Sequence, residues 1–146
     1  MRNIFHNIKR LLYWFPIIWK DRDWDEHYLF IVLQHKLKSM ENFFRNHGHF
    51  IGTEKQAENI KICILLLQRL IDDNYLEIAF KFHEKKWGNY NSFGSKFYRD
   101  KVTTEAESKQ EHKESLPCDE REQYLRVQDL SYLFHILAKH VWAWWA

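Results

Sequence analysis

The densest polar chemistry in the chain is the run Trp19-Lys-Asp-Arg-Asp-Trp-Asp-Glu-His27. Alternating Asp21, Asp23 and Asp25 resemble the start of a calcium loop. That loop needs glycine after its third acid and glutamate at its twelfth position, and those places hold Glu26 and Val32. Two readings remain. Carboxylates at a helix start are favoured by the helix dipole, with Arg22 pairing locally. The flanking indoles, Trp19 and Trp24, add something a cap does not require. Aromatic faces beside a guanidinium and carboxylates make a recognition surface for a planar ligand. Asp23 and His27 lie one helical turn apart, close enough to share a proton or a metal.

Other chemistries find less support. His47 and His49 flank Gly48, and His135 and His140 are five apart. Neither spacing is that of a zinc finger or metalloprotease. There is no glycine-rich phosphate loop, nucleophile elbow or paired CxxC, so nucleophilic catalysis has no foothold. An all-α nucleotide pyrophosphatase would hold magnesium through carboxylates on facing helices. Asp25, Glu58 and Asp73 are the candidates, but they lack the repeated Glu-x-x-Glu or Glu-x-x-Asp pattern and read better as ordinary helix-surface acids.

These groups must be positioned by helices. Of 146 residues, 17% are aromatic and only six are Gly or Pro, which gives large rings for a core and few turns. That composition predicts an all-α fold, a compact bundle of four to five helices around a central helical hairpin, in one domain covering 1–146. The first helix is expected over Asn3–Trp14, ended by Pro16. Its Ile4, Phe5, Ile8, Leu11, Leu12 and Phe15 have the spacing of a buried stripe. Residues 1–20 also carry Arg2, Lys9, Arg10 and Lys20 without any acid. Such a basic amphipathic start can alternatively lie on a membrane or touch a phosphate backbone.

The second helix is expected to run from Asp23 to Asn46, with Leu29, Leu33, Leu37, Met40 and Phe44 on one face. Thr53-Glu-Lys-Gln56 is a capping box opening a third helix to Ile71, apolar on most sides and hence central. A fourth helix follows from Tyr75 to about Lys86, stopped by Gly88. The turn-rich and then highly polar stretch 89–115 predicts a mobile or solvated insertion, partly helical. The last helix spans Asp119–Trp144 along Val127, Leu130, Phe134, Leu137, Val141 and Trp144. Trp144 continues that stripe, which leaves Trp145 as a partner surface.

Two cysteines, Cys63 and Cys118, do not make a disulfide framework. The apolar run Leu11–Trp19 is too short for a bilayer span and lacks a cleavage site, so a cytoplasmic protein is expected. A net charge of +2 does not single out nucleic acid as the partner.

Trp19-Lys-Asp-Arg-Asp-Trp-Asp, Lys36-Leu-x-x-Met40, Ala57-Glu58, Leu66-Leu67-x-Arg69-Leu70, Asp73-x-Tyr75 and Trp144-Trp145 together resemble a group of small uncharacterised tailed-bacteriophage proteins. The resemblance spans most of the chain outside 89–115. In that group the terminal Trp pair is often followed by an acid, where this chain has Ala146. The resemblance implies a phage accessory protein of the host cytoplasm, a non-enzymatic binder of a host or defence-system protein or of a signalling nucleotide, needing no cofactor. Its ligand-facing group would be Trp19, Arg22, Asp23, Trp24, Asp25 and His27, supported by Lys36, Arg69 and Tyr75. The indoles would stack a base or aromatic side chain, Arg22 and Lys36 would meet negative charge, and Asp23 would orient Arg22 or His27. Two alternatives stay open. One is a magnesium-dependent nucleotide phosphohydrolase using Asp25, Glu58 and Asp73. The other is nucleic-acid binding through the basic first helix.

Overall fold

The computed structural model describes residues 2–20, 25–46, 52–93 and 96–144. The chain is all-α, as the periodicities predict. Its helices are α1 (Arg2–Ile18), α2 (Glu26–Asn46), α3 (Thr53–Asp72), α4 (Tyr75–Trp87) and α5 (Glu105–His140), with a closing 3₁₀ turn at Val141–Trp144. A short antiparallel hairpin, β1 (Tyr90–Phe93) and β2 (Lys96–Arg99), lies between α4 and α5. Two compact units result, Met1–Ile71 with Leu133–Ala146 and Asp72–Tyr132.

In the first unit, α3 is the buried helix. Ala57, Ile60, Cys63, Ile64, Leu66, Leu67 and Leu70 are all enclosed, and burial pushes the Cys63 thiol up to about 11. Gln34 of α2 donates to the Ile64 carbonyl (3.2 Å) and to the Gln68 side chain (2.9 Å), while Arg45 reaches Glu58 (2.8 Å). Contacts that climb α2 while descending α3 define the antiparallel hairpin that the short connection predicts. Leu133, Ile136 and Trp144 are also buried in this unit, and Gln56 donates to the Ala143 carbonyl at 3.0 Å.

Two helix boundaries differ from expectation, both at proline. α1 continues through Pro16 to Ile18, where Trp19 N–H bonds Phe15 O at 2.9 Å. Proline removes only the donor to Leu12 O, and Leu12 is exposed, so water can serve that carbonyl. α5 likewise runs unbroken through Pro117. It begins at Glu105 rather than Asp119, because Thr104 and Glu107 form a capping box. Glu107 accepts from Thr103 N, Thr103 Oγ1 and Thr104 N at 2.9–3.0 Å, and its own N–H donates to Thr104 Oγ1 at 3.2 Å. These four bonds span the start of the helix, and their donors hold the Glu107 carboxyl down at about 2.

The stretch expected as a mobile or solvated insertion, partly helical, holds the two short strands and the first, largely exposed turns of α5. The hairpin is stitched to the end of α4 by Lys101 N–H to Trp87 O (3.2 Å) and Asp100 N–H to Asn89 O (3.3 Å). Gly88 makes this join possible. Its φ is 83°, and a Cβ there would stand 2.9 Å from Asp100 Cβ and 3.2 Å from Lys101 N.

Two apolar stripes are displaced from their expected faces. On α5 the buried positions are Asp129, Leu133 and Ile136, whereas Val127 and Phe134 are exposed; Trp144, in the closing turn, is buried as expected. The buried Asp129 accepts from the Tyr75 hydroxyl at 2.7 Å, and this polar anchor sets the rotation of the helix. On α1 the expected buried stripe is turned outward: Ile4, Phe5, Ile8, Leu11, Leu12 and Phe15 are all exposed. The opposite edge is the packed one. Tyr13 and Trp14 lie against His35 of α2, with ring centroids 4.1 and 4.7 Å away.

Candidate functional site

The residues singled out from the sequence divide between the two units. Arg22, Asp23, Trp24 and Trp145 lie outside the described residues, as do His47 and His49. Trp19 follows α1, 76% exposed, its ring 5.3 Å from that of Phe15. Asp25 caps α2, its Oδ1 accepting from His27 N–H at 3.0 Å. This is the capping role, formed by the third acid of the motif. The His27 ring stands edge-on to Tyr28 at 6.5 Å. Lys36 sits half-buried on α2, and Arg69 is exposed on α3.

Tyr75 is not a surface group. It is 1% exposed and committed through its hydroxyl to Asp129, so it acts as a core anchor of the second unit. The other two candidate magnesium ligands are spent on arginines. Glu58 pairs with Arg45 (2.8 Å), which holds its carboxyl below the usual range, and Asp73 pairs with Arg126 (2.7 Å). Among the described residues no group of three or more His, Cys, Asp or Glu side chains is arranged to hold a metal ion.

A recess that was not anticipated lies wholly within the second unit. It is a half-open cleft of about 710 Å³ between α4, the hairpin and the first half of α5. Its organising group is Arg99, buried to 7% exposure. The guanidinium donates through Nε to Glu111 (3.0 Å) and through Nη1 to the Gly88 carbonyl (3.3 Å), and stands 3.8 Å from Glu84. Its Cζ lies 5.0 Å from the Tyr90 ring centre and 5.6 Å from that of Phe80. An arginine can be buried this way because its planar face stacks while its edge hydrogen-bonds. His83 adds a further contact, with Nε2 3.3 Å from the Glu111 carbonyl. Its Nδ1 is buried without a partner among the described residues.

The electrostatics of the cleft follow from its lining. Glu77, Glu84, Glu111 and Asp119 face Arg99 as the lone basic chain among the lining residues, and Phe80, Tyr90 and Tyr98 supply aromatic walls. Glu84 and Glu111 are engaged with Arg99, whereas Glu77 makes no ion pair among the described residues. Beside the cleft, Glu114 gathers Lys86 (2.6 Å), the Trp87 indole N–H (2.8 Å) and Gln110 (2.7 Å). These donors hold its carboxyl at about 2. Sequence reasoning missed the cleft because its ends come from α4, from a hairpin read as a loop, and from α5 turns read as solvated. One usable signal was Thr104-Glu-Ala-Glu107, a capping box that places Ser108, Glu111, His112 and Ser115 on one helical face.

Compared with known proteins, the chain matches no family model, no curated protein and no solved structure.

Proposed function

We propose that this protein is a non-enzymatic binder, a phage-type accessory protein acting on a host or defence-system protein in the host cytoplasm. The phage origin rests on the sequence resemblance. The binding role is supported by one observation, the aromatic-walled, carboxylate-rich cleft of the second unit. Arg99 lies between rings and carboxylates there, the arrangement an incoming cationic side chain would also find. The reading is that a partner's arginine or lysine enters beside Arg99, stacks on Tyr98 and meets Glu77 and Asp119. An anionic nucleotide would face four carboxylates against a single guanidinium, so the cleft favours a protein partner over a signalling nucleotide. The phosphohydrolase reading draws no support from Glu58 and Asp73, whose charges are already engaged.

Amide chemical-shift titrations of the full chain with arginine- and lysine-containing peptides, acidic peptides and a nucleotide panel test this. Cationic peptides are expected to shift signals around Tyr98 and Glu77, less so at high salt. Glu77→Gln with Tyr98→Ala weakens that binding by at least about tenfold, combining a charge and a cation–π contact. Nucleotide binding at the cleft, or magnesium-dependent nucleotide hydrolysis, overturns the reading.

A further inference from the structure

The outward face of α1 is independent of the cleft and asks for its own explanation. At about 100° per residue, Ile18, Leu11, Ile4, Phe15, Ile8, Trp19, Leu12 and Phe5 fall in that order along one unbroken arc of about 140°. Every one of these eight side chains is exposed. The helix meets α2 through Tyr13 and Trp14 on the far side of the arc, so this packing points the arc away from α2. An apolar strip about 23 Å long, at 1.5 Å per residue, is too large to be an incidental surface feature.

The charges beside it identify what covers it. Lys9 is the cation nearest the arc, while the groove of about 380 Å³ that it shares with Arg10, Lys36 and Lys38, which has no acidic residue in its lining, opens on the other side of α1 toward α2. Lys9 belongs both to this groove and to the polar flank next to Phe5 and Leu12. The first twenty residues contain no carboxylate at all. A second copy packed arc to arc offers Lys9 no carboxylate from its own first twenty residues, whereas a surface with anionic headgroups above an apolar interior matches both the arc and its cationic edge. No helix of the described residues is long and apolar enough to cross a membrane, which limits this contact to the interface.

We infer that α1 is a peripheral membrane anchor, which lays its arc into the headgroup–acyl boundary of an anionic bilayer while Lys9, at the edge of the arc, meets lipid phosphates. Phe15 and Trp19, stacked at one end of the arc, sit at the interface depth that aromatic rings favour. Lys9 extends its stem along the apolar edge and its ammonium toward the headgroups.

The test is flotation of the full chain with vesicles of phosphatidylcholine alone and of phosphatidylcholine mixed with phosphatidylglycerol. The mixed vesicles are expected to carry the protein up at least about tenfold more efficiently, since each cation near the surface contributes about fivefold. Lys9→Ala lowers binding about fivefold, and Leu11→Asp abolishes it while leaving the far-UV helical signal unchanged. Tryptophan emission shifts to the blue on the mixed vesicles, and Trp19→Phe removes most of that shift. The comparison of the two vesicle types requires no variant. The inference is overturned if mixed vesicles leave the protein unbound, or if Leu11→Asp floats like its parent. It is equally overturned if the arc instead mediates self-association that Leu11→Asp abolishes, or if salt-sensitive DNA binding occurs without vesicle binding.

Discussion

α1 and α3 carry apolar stripes of the same helical period, yet one is exposed and the other enclosed. Seven residues of α3 are buried. Of the apolar stripe of α1, none is. The period of a stripe reports that a face exists, and the residues on the opposite face decide what it meets. α3 encloses its apolar face and leaves Glu58, Lys61, Leu65 and Arg69 exposed on the other. α1 places Tyr13 and Trp14 on its other side, and their packing on His35 offers an alternative to burying the greasy face. The packed His35 has its pKa lowered, first by burial and then by Lys38, so its neutral form suits this aromatic contact.

The comparison can be broken or sharpened by measurement. Leu67, with 0% exposure on α3, should lose about 2–5 kcal/mol of unfolding free energy on truncation to alanine, through lost transfer energy and an unfilled cavity. Denaturant titration reads this directly, and a loss near zero would mean α3 is not the core helix. Tyr75→Phe comes next, at about 1–3 kcal/mol, because it leaves the buried Asp129 without its donor. A stable variant with altered ligand binding would instead return Tyr75 to the ligand-facing group.

A smaller effect concerns Glu107, at the exposed start of α5. Its folded carboxyl titrates at about 2 against an ordinary 4.5. A depressed folded value means the capping contribution is fully present above pH 4.5 and is lost as pH falls toward 2. Thermal unfolding across that window should show a steeper decline for the parent than for Glu107→Gln. The smallest effect is expected at Leu11, 68% exposed. Its replacement by alanine should change stability by no more than about 0.5 kcal/mol. A larger loss would show that the α1 arc is covered by the protein itself.

The helical class and the limits of α3 and α4 were legible because their signals are local. Thr53 opens α3 and Gly88 closes α4, the latter at a φ of 83° that favours glycine. Local signals misled where tertiary contacts overrode them. Pro16 reads as a break, but it removes one donor from a helix that continues to Ile18. Asp129 reads as a surface acid, yet its bond to Tyr75 rotates the buried face of α5 away from Val127 and Phe134. The hairpin was hidden because four-residue strands are too short to show a clear alternation. The cleft was hidden with it, since Arg99 acquires its role only when β2 brings it between Phe80, Tyr90 and Glu111. Of the ligand-facing group, Asp25 is seen capping α2 and Tyr75 anchoring the core, roles that residue type allowed but spacing did not distinguish.

The first unit is discontinuous along the chain, and this sets an order of events during synthesis. Leu133, Ile136 and Trp144 complete a core whose other members lie before Ile71. A ribosome would release the entire Asp72–Tyr132 segment before supplying them. The earlier helices must therefore wait with α3 unsealed, and contacts this far apart in sequence slow closure. Until Leu133, Ile136 and Trp144 emerge, a chaperone or a premature aggregate competes with them for the open seam.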